Sequence, residues 1–487
     1  MDAPDTTRAR WTLLAVCLGT FMLLLDVTIV TVALPDIQRA LHASFSDVQW
    51  TVDAYSLSLA SLMLLSGSFA DLFGRRLLFA IGLAVFTVGS LLCGVSQSSL
   101  MLILCRAFQG VGGAIVYATS LALLAQTFHG RARGAAFGIW GAVTGISTAL
   151  GPIVGGVLTT GLSWRWIFLV NVPVGIFAVI VTLRYVSESR PPQARKLDPA
   201  GFTTFTLGLI SLVYGLIRAN ENGWSDTGVI VCFAIAVVLL SAFYLVERIA
   251  RQPMFDLSLF RKPTFSGGAI AAFGMNGSLF AMMLYLVLYL QNVLGYSALQ
   301  TGLRLLLVTC AMLITAIPAG RLTARVPTKL LVGPGLLIVG AGLLLMRGLE
   351  PSSDWTHLIP GFVVAGLGAG LVNPPLASTA VGVVEQRAAG MASGINSTFR
   401  QVGIATSVAA LGSILATHTN GKTGAASSAA FISGINELCL ISGLLAIVTG
   451  VLATVLIRQK DFVQQGPPPE TGEARPEAAR PEAAVRA

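Results

Sequence analysis

Charged residues are scarce in this chain, and their scarcity excludes an ordinary soluble protein. Asp, Glu, Lys and Arg make up 11% of the 487 residues, whereas a soluble domain carries about 25%. Hydrophobic residues make up 54%, and the mean hydropathy is +0.78. The net charge of +9 does not indicate nucleic-acid binding, because the basic residues are spread over short loops and form no single patch. The composition therefore predicts many membrane spans in a lipid bilayer.

Paired cysteines and clustered histidines are also missing, which argues against disulfides, metal centres and catalysis. The six cysteines are scattered singly through apolar segments, with no C-x-x-C or other ligand spacing. We therefore expect them to be small packing residues. The four histidines fall near loops without partners, and GVGGA at 110–114 lacks the strand that precedes a dinucleotide-binding loop. No enzyme activity, no metal and no cofactor are expected.

Long apolar runs dominate the chain instead. A membrane span needs about 20 mostly apolar residues. Fourteen segments qualify, at 12–34, 48–69, 77–96, 100–127, 134–159, 166–186, 200–218, 228–247, 265–291, 299–320, 328–346, 358–381, 389–416 and 435–457. The first run is too long for a signal peptide and has no cleavage site, so we expect it to be retained as a span.

Basic residues mark one side of the membrane. Alternate loops collect, among others, Arg75, Arg76, Arg131, Arg133, Arg261 and Lys262, whereas the opposite loops keep little beyond Arg39, Arg218, Arg347 and Lys422. The positive-inside rule makes the basic side cytoplasmic, so both termini are predicted to be cytoplasmic. We expect a multi-pass protein of the bacterial cytoplasmic (inner) membrane.

A faint internal repeat divides the chain. Arg131–Ile139 (RARGAAFGI) matches Arg387–Ile395 (RAAGMASGI) at six of nine positions, and Gly67–Arg76 is echoed more weakly at Gly320–Lys329. Eight spans separate equivalent points, so the two halves share one orientation. The predicted organisation is a six-helix half at 1–187, a linker at 188–263 with two extra spans and a cytoplasmic amphipathic segment at Met254–Phe260, a second six-helix half at 264–460 and a disordered tail at 461–487.

Three ionisable residues lie inside predicted spans, where charge is costly. Asp26 lies in the first span, Asp53 in the second and Arg106 in the fourth. At about 1.5 Å per residue, Asp26 is roughly 22 Å above the start of its span, and Asp53 and Arg106 are roughly 9 Å below the outer surface. The similar depths predict one polar pocket. We favour Asp26 over Asp53 as a carboxylate that loads and releases a proton; a static buried pair that fixes helix packing stays open.

Glycines recur through the fifth predicted span, which reads GIWGAVTGISTALGPIVGG at Gly138–Gly156. Interior glycine and proline destabilise a helix in water. In lipid, small residues four apart let two helices approach closely. The spacing predicts a tight helix contact, whose members include Gly145, Gly151, Pro152, Gly155 and Gly156.

These motifs together resemble the fourteen-span drug:proton antiporters of the major facilitator superfamily. The resemblance is carried by LDVTIVTVALP at 25–35, GSFADLFGRR at 67–76, RAFQGVGGA at 106–114, GPIVGG at 151–156 and WRWIFLVNVPVG at 164–175. It covers the chain except the tail. It implies an all-α integral membrane fold of two six-helix halves, related by a parallel pseudo-repeat, plus two inserted helices. It also implies that Asp26 and Arg106 take part in proton coupling. The glycine run of the fifth span resembles the antiporter motif of these exporters, with members Gly145, Gly151, Pro152, Gly155 and Gly156; a helix contact without a mechanistic role is the alternative.

The second of these motifs implies a cytoplasmic gate, whose members are Gly67, Asp71, Gly74, Arg75 and Arg76. Asp71 and Arg75 would latch the halves together when the site faces outward. The second-half copy departs from the pattern, with Ala324 where Asp71 would align and Pro327 in place of Gly74. We therefore expect a one-sided latch; topology signalling by the arginines alone is the alternative.

The predicted function is export of apolar or cationic drugs by alternating access, driven by the proton gradient. The expected partners of the monomer are protons and a drug-like small molecule. Candidate cavity residues are Trp50, Tyr55, Trp140, Gln291, Asn373 and Arg400. Adaptable apolar walls leave no substrate motif. Export of a dedicated natural product, lipid or siderophore, nutrient import or uniport, and a sensor without transport stay open.

Overall fold

The computed structural model describes residues 6–128, 130–188, 198–250, 253, 255–323, 326–384, 389–419 and 425–462. These residues form an all-helical fold without a strand, as the sequence predicts. We number the helices along the chain: α1 Thr6–Ala40, α2 Phe45–Phe73, α3 Arg75–Gly94, α4 Ser99–Thr127, α5 Gly130–Gly161, α6 Trp166–Tyr185, α7 Pro199–Asn222, α8 Thr227–Ile249, α9 Pro263–Val293, α10 Ala298–Leu322, α11 Lys329–Leu345, α12 Ile359–Gly382, α13 Ala389–Thr419 and α14 Ala425–Leu456.

The lengths and apolarity of these helices confirm a protein that spans the membrane. Among the described residues, eleven helices are long and apolar enough to cross a bilayer, and α5 makes a twelfth if its bent parts form one span. A helix occupies each of the fourteen predicted positions. However, α11 has only 17 residues, and α2 carries six serines and three aspartates and is not among the eleven. Fourteen crossings therefore stay a prediction.

Proline and alanine explain two details of these helices. α5 bends by 42° between Ser147 and Leu150. Pro152 accounts for the bend, because a proline ring clashes with the carbonyl four residues earlier and cannot donate a hydrogen bond to it. α14 begins at Ala425, well before the predicted start at 435, because its first turns are rich in alanine, the strongest helix former.

Helix contacts divide the described molecule into two bundles. α1–α6 pack on one another, with extensive contact between α3 and α4 and between α1 and α5; α9–α14 pack likewise, with α11 and α10 both against α12. The bundles meet along two seams, α2 with α13 and α5 with α10. A shift of eight helices turns α2 into α10 and α5 into α13, so it exchanges the two seams, as a parallel repeat requires. The predicted residue boundaries of the halves stay predictions.

The inserted helices α7 and α8 pair with each other, and α7 also packs against α2 and α13. The inserted pair therefore covers the α2–α13 seam. A cavity of about 790 Å³ lies between this pair and the second bundle, with phenylalanines prominent in its wall. Among the described helices, none covers the α5–α10 seam in the same way.

The segment after α8 is predicted to lie on the membrane surface, and its described part has buried apolar side chains. Its described part ends in a short 3-10 turn, Leu257–Arg261, and Phe255 and Leu259 are buried. Phe255 packs against Phe205 of α7 and Phe399 of α13, with ring centroids 6.4 and 6.3 Å apart. These apolar side chains therefore lie inside the protein, because aromatic partners are available there. Residue 254 and the tail from residue 463 lie outside the described residues.

Candidate functional site

A buried ion pair lies inside the first bundle. Asp26 of α1 is fully buried, and Arg106 of α4 is 2% exposed. Arg106 Nη1 lies 2.5 Å from Asp26 Oδ2. Asp26 Oδ1 accepts two further hydrogen bonds, from Gln109 Nε2 at 2.9 Å and from Asn171 Nδ2 at 3.2 Å. The carboxylate thus has both a counter-charge and amide donors, which a buried ion pair needs in order to persist.

A second set of contacts holds the guanidinium group in place. Arg106 Nη1 donates to Gln109 Oε1 at 2.7 Å, and its Nε donates to the carbonyl of Thr51 at 3.2 Å. The Tyr55 ring lies 4.1 Å from the guanidinium carbon, in a favourable cation–π position. Gln109 Nε2 also donates to Ser90 Oγ at 2.7 Å. The network draws on α1, α2, α3, α4 and α6, so it lies wholly within one bundle.

The amide partners of the pair are additions to what the sequence predicts. Gln109 follows Arg106 by three residues and so shares its helix face, which is a usable signal. Asn171 lies in the WRWIFLVNVPVG motif, which marks the segment without giving the role of the residue. Nothing in the pattern around Ser90 marks it.

Asp53 is a second buried carboxylate, and it has no partner. It is fully buried, and neither of its oxygens has a hydrogen-bond partner among the described residues. Tyr55, two residues further along α2, faces Arg106, and a helix turns through about 200° in two residues. Asp53 therefore points out of the first bundle, toward the side where Gln49 of α2 donates from Nε2 to the Tyr285 phenol oxygen of α9 at 3.2 Å. The predicted common pocket thus contains Asp26 and Arg106 but not Asp53.

Asp53 lies on the α2–α13 seam, whose outer end is closed by hydrogen bonds between the bundles. Gln49, one turn before Asp53, donates from Nε2 to the carbonyl of Val408 in α13 at 2.9 Å. Gln291 of α9 donates from Nε2 to the carbonyl of Val32 in α1 at 2.7 Å. These bonds join the bundles at the end that is predicted to face outward.

The glycine run of α5 brings that helix against α1. Gly151 lies against Thr28, where its missing side chain leaves space for the threonine hydroxyl. A Cβ added to Gly155 would lie 2.8 Å from the Ile29 carbonyl oxygen. Both glycines therefore permit a backbone approach that alanine would prevent.

The same run also contacts α10 across the second seam. A Cβ added to Gly156 would lie 2.6 Å from Leu299 Cα. On α10, Gly302 lies directly against the Pro152 carbonyl. Further toward the predicted cytoplasmic end, a Cβ on Gly145 would meet only the end of a leucine side chain at 3.4 Å. α5 and α10 are therefore tightly packed at the outer end and farther apart toward the cytoplasmic end.

A small cavity of about 100 Å³ lies between the bundles beside the ion pair. Arg106 and Tyr55 line it from the first bundle, and Phe280, Met283 and Val408 line it from the second. Of the six predicted cavity residues, Tyr55 lines this cavity. Apolar walls with a few convergent polar groups are typical of small-molecule sites.

Five predicted cavity residues do not line this space: Trp50, Trp140, Gln291, Asn373 and Arg400. Trp50 packs against Tyr214 of α7, with ring centroids 6.1 Å apart. Gln291 belongs to the closed outer end. Trp140 donates from Nε1 to Thr20 Oγ1 at 2.9 Å. Asn373 of α12 and Arg400 of α13 contact each other. These residues are cavity candidates by residue type, and residue type does not reveal which helix faces meet.

The loop predicted as a cytoplasmic gate contains a glycine with unusual backbone geometry. Gly74, between α2 and α3, has φ +105°, which glycine tolerates best. The Glu188 carboxylate accepts hydrogen bonds from the backbone N–H groups of Arg76 at 3.0 Å and Leu77 at 3.1 Å. A carboxylate at a helix N-terminus is favourable, so Glu188 stabilises the start of α3. The sequence does not mark Glu188.

The proposed latch itself stays a prediction. Gly67 and Asp71 belong to α2, but their surroundings lie outside the described part of the chain. Arg75 begins α3 at the same loop. In the second-half copy, Ala324 also lies outside the described residues, and Pro327 precedes α11.

Three curated relatives resemble the chain over most of its length. The family model described as the Major Facilitator Superfamily matches residues 16–408. The chain is 38% identical over 406 residues to the multidrug resistance protein Stp of Mycobacterium tuberculosis, covering 83% of this chain and 75% of that protein. It is 35% identical over 494 residues to the puromycin resistance protein pur8 of Streptomyces alboniger, covering 99% and 96%. It is 36% identical over 406 residues to the tetracenomycin C resistance and export protein of Streptomyces glaucescens, covering 83% and 76%.

A solved structure supports the fold. A bacterial homologue of the human lysosomal transporter Spinster, in an inward-facing and unoccupied conformation, matches with a TM-score of 0.64 and 16% identity. The match covers 94% of this chain and 99% of that one. At this identity the similarity establishes the arrangement of helices.

Proposed function

The chain belongs to the Major Facilitator Superfamily, and from that membership we propose that it exports drug-like small molecules in exchange for protons. The outward direction is supported by relatives whose names refer to antibiotic resistance and export. The proposed setting is the bacterial cytoplasmic membrane, with both termini in the cytoplasm. The protein acts there as a transporter, and its cycle moves a compound and protons in opposite directions.

The observation that carries proton exchange is the unpartnered carboxylate of Asp53 between the two bundles. An ionised carboxylate buried without hydrogen bonds or a counter-charge is costly. A proton bound to Asp53 therefore favours the closed seam. When the outer end of the α2–α13 seam opens, water reaches the carboxylate and a proton from outside can bind to it. The proton leaves when Asp53 gains access to water from the cytoplasmic side. Movement of the seam and occupancy of the proton site are thereby linked.

Asp26 has the opposite surroundings. Its counter-charge Arg106 and its amide donors Gln109 and Asn171 all belong to the same bundle. Relative movement of the two bundles leaves these bonds intact. We therefore give Asp26 and Arg106 the role of maintaining the shape and the electric field of the cavity wall, and Asp53 the role of proton carrier. This reverses the preference drawn from the sequence.

The arrangement of α5 and α10 supports loading from the cytoplasm. Their backbones are in close contact at Gly156 and Leu299, and the contact loosens toward Gly145. The outer end is also closed by the hydrogen bonds of Gln49 and Gln291. A compound would enter from the cytoplasm or the inner leaflet, and opening of the outer contacts would release it outside.

Dye transport in proteoliposomes tests this function. The full chain, Asp53→Asn and Asp26→Asn are compared for ethidium efflux driven by an imposed proton gradient, and for ethidium counterflow without a gradient. We expect Asp53→Asn to abolish the driven efflux but keep counterflow, because only proton exchange is lost. Asp26→Asn should impair both. Asp47→Asn, in the first turn of the same helix, where the carboxylate is only partly buried, is the matched control and should retain both activities.

The outcomes separate this function from its alternatives. Full gradient-driven efflux by Asp53→Asn would place the proton elsewhere and reject the role of Asp53. A native chain that transports no dye of a broad panel, but confers resistance to one antibiotic, would identify an exporter of a dedicated natural product. The match to the tetracenomycin C export protein favours that second candidate.

A further inference from the structure

Arg400 of α13 is held by unusually weak contacts for a partly buried guanidinium group. Its Nε lies 3.4 Å from Asn396 Oδ1, and its Nη1 lies 3.4 Å from Asn373 Oδ1 of α12. Both distances are beyond the normal range for N–H···O bonds. Arg106, in comparison, lies 2.5 Å from a carboxylate.

No carboxylate balances the charge of Arg400. Among the described residues, no Asp or Glu oxygen forms an ion pair with it, and the two groups that approach it are neutral amides. A guanidinium group withdrawn from water without a counter-ion is costly within a membrane protein. The site is therefore incomplete as it stands, and an anion would complete it.

The position of Arg400 places it on the route of a transported compound. Residues four apart on a helix share one face, so Arg400, Ile404 and Val408 form a row along α13. Ile404 and Val408 line the small cavity beside the ion pair. Arg400 lies one turn away from them, on the side that is predicted to be cytoplasmic. It is thus the first charged group on this row for a compound approaching from the cytoplasm.

Aromatic rings of the first bundle lie opposite. Helix α4, which carries Tyr117, packs against α13, and the Tyr117 phenol is close enough to Arg400 to interact with its charge. Tyr117 packs edge-on against Trp140 of α5, with ring centroids 6.4 Å apart. One wall therefore offers a cation and amides, and the facing wall offers flat apolar rings. A planar apolar body that carries an anionic group fits between them.

The amides can also serve an anion. Within the described part of the chain, Asn373 Nδ2 contacts only Met312 Sδ, a weak acceptor, at 3.8 Å, and Asn396 Nδ2 lies 3.5 Å from the Gly268 carbonyl. Neither donor is strongly engaged. A carboxylate could accept two parallel bonds from the guanidinium fork and further bonds from these amides.

We propose that Arg400, Asn373 and Asn396 bind the carboxylate group of an aromatic organic acid, whose apolar body lies against Tyr117 and Trp140. This inference rests on the proposed export function and names a substrate class for it, different from the apolar or cationic class expected from the sequence. The recognition step involves no bond making: the carboxylate replaces the two long contacts of Arg400 with short, charge-assisted ones.

Equilibrium binding tests the site with a matched pair of probes. The full chain in nanodiscs is titrated at pH 7 with 1-naphthaleneacetate and with the uncharged 1-naphthaleneacetamide, and binding to empty nanodiscs is subtracted. The native chain should bind the acid at least about tenfold more tightly than the amide, as expected for charge-assisted hydrogen bonds. Arg400→Gln should remove that preference while leaving the affinity for the amide unchanged. Arg400→Lys should keep part of it, because the charge remains but the fork is lost.

A second arginine provides the matched control for charge removal. Arg304 of α10 lies over the rings of Tyr296 and Trp355, at 3.6 and 4.8 Å, away from the proposed site. Arg304→Gln should retain the preference for the acid. Equal binding of acid and amide by the native chain, or an undiminished preference in Arg400→Gln, would overturn the inference. Proton-driven ethidium efflux, measured separately, decides the export function independently. Unchanged amide binding by Arg400→Gln also shows that this variant is folded.

Discussion

Gly302 of α10 lies directly against the backbone carbonyl of Pro152 in α5, with no space for a side chain between them. Backbone meets backbone here, so neither partner can rotate out of the way as a side chain would. The contact therefore holds α5 and α10 as close together as two backbones can lie at the outer end of their seam. In the alternating-access cycle that we propose, this contact forms and parts once per cycle.

Gly302→Ala should force α5 and α10 apart at their outer ends. The added Cβ overlaps the carbonyl, and overpacking of this kind typically costs about 1–3 kcal/mol. We expect a lower melting temperature and a longer distance between spin labels on the outer ends of the two helices. Gly141→Ala is the control, because a Cβ there has nothing within 4 Å; it should leave both readings unchanged. Native values for Gly302→Ala would contradict the prediction.

Asp26→Asn should destabilise the protein, whereas Asp53→Asn should not. Removing the Asp26 charge leaves Arg106 buried without a counter-ion, which typically costs about 3–5 kcal/mol. Asp53 has no partner to lose, so its neutral replacement should leave the protein as stable or make it more stable. Thermal unfolding of the purified variants measures both. Adding Arg106→Gln to Asp26→Asn should recover part of the loss; a larger loss in the double variant would argue against an isolated ion pair.

Acid should loosen the loop between α7 and α8 through Asp226. A hydrogen bond from Arg218 Nε, at 3.0 Å, is the main reason why the pKa of Asp226 lies below its usual value of 3.8. A lowered pKa in the folded state means that the contact contributes fully above the unfolded pKa and is lost as the pH falls through the folded one. Asp226 also caps α8 by accepting a bond from the Val229 N–H at 3.2 Å.

We therefore expect hydrogen exchange at the start of α8 to rise below about pH 4, after correction for intrinsic exchange rates. Asp226→Asn keeps a capping side chain but cannot titrate, so its exchange should lack this pH dependence. The same dependence in both proteins would show that another group is responsible.

Depth in the membrane is predictable from the sequence, but direction around a helix axis is not. The similar depth of Asp26 and Arg106 follows from residue counts, because each helical residue advances about 1.5 Å. The side of α2 on which Asp53 lies depends on which helices pack there, and α9 and α13 lie more than 200 residues away in the chain. Asp53 therefore lies outside a pocket that its depth alone suggests it should share.

A local sequence pattern likewise does not predict which distant helix a residue contacts. The spacing of Gly151, Gly155 and Gly156 predicts close contact, yet only the assembled structure shows that the first two meet α1 and the third meets Leu299 of α10. Residue type alone is weaker still as a guide to the cavity. Tyr55 lines the small cavity beside the ion pair. Trp50, which is also an aromatic candidate on α2, packs against the inserted helix α7 instead.

The cover that α7 places over the α2–α13 seam makes the two flanks of the molecule mechanically unequal. Separation of α2 from α13 must stretch or carry α7, which touches both, whereas α5 and α10 can part without such a tether. We therefore expect the α2–α13 seam to act as a hinge and the α5–α10 seam to open more widely. The two bundles would then rotate about the α2–α13 side of the molecule. Asp53 then lies close to the hinge, where a small change in the distance between α2 and α13 accompanies a large separation of α5 from α10.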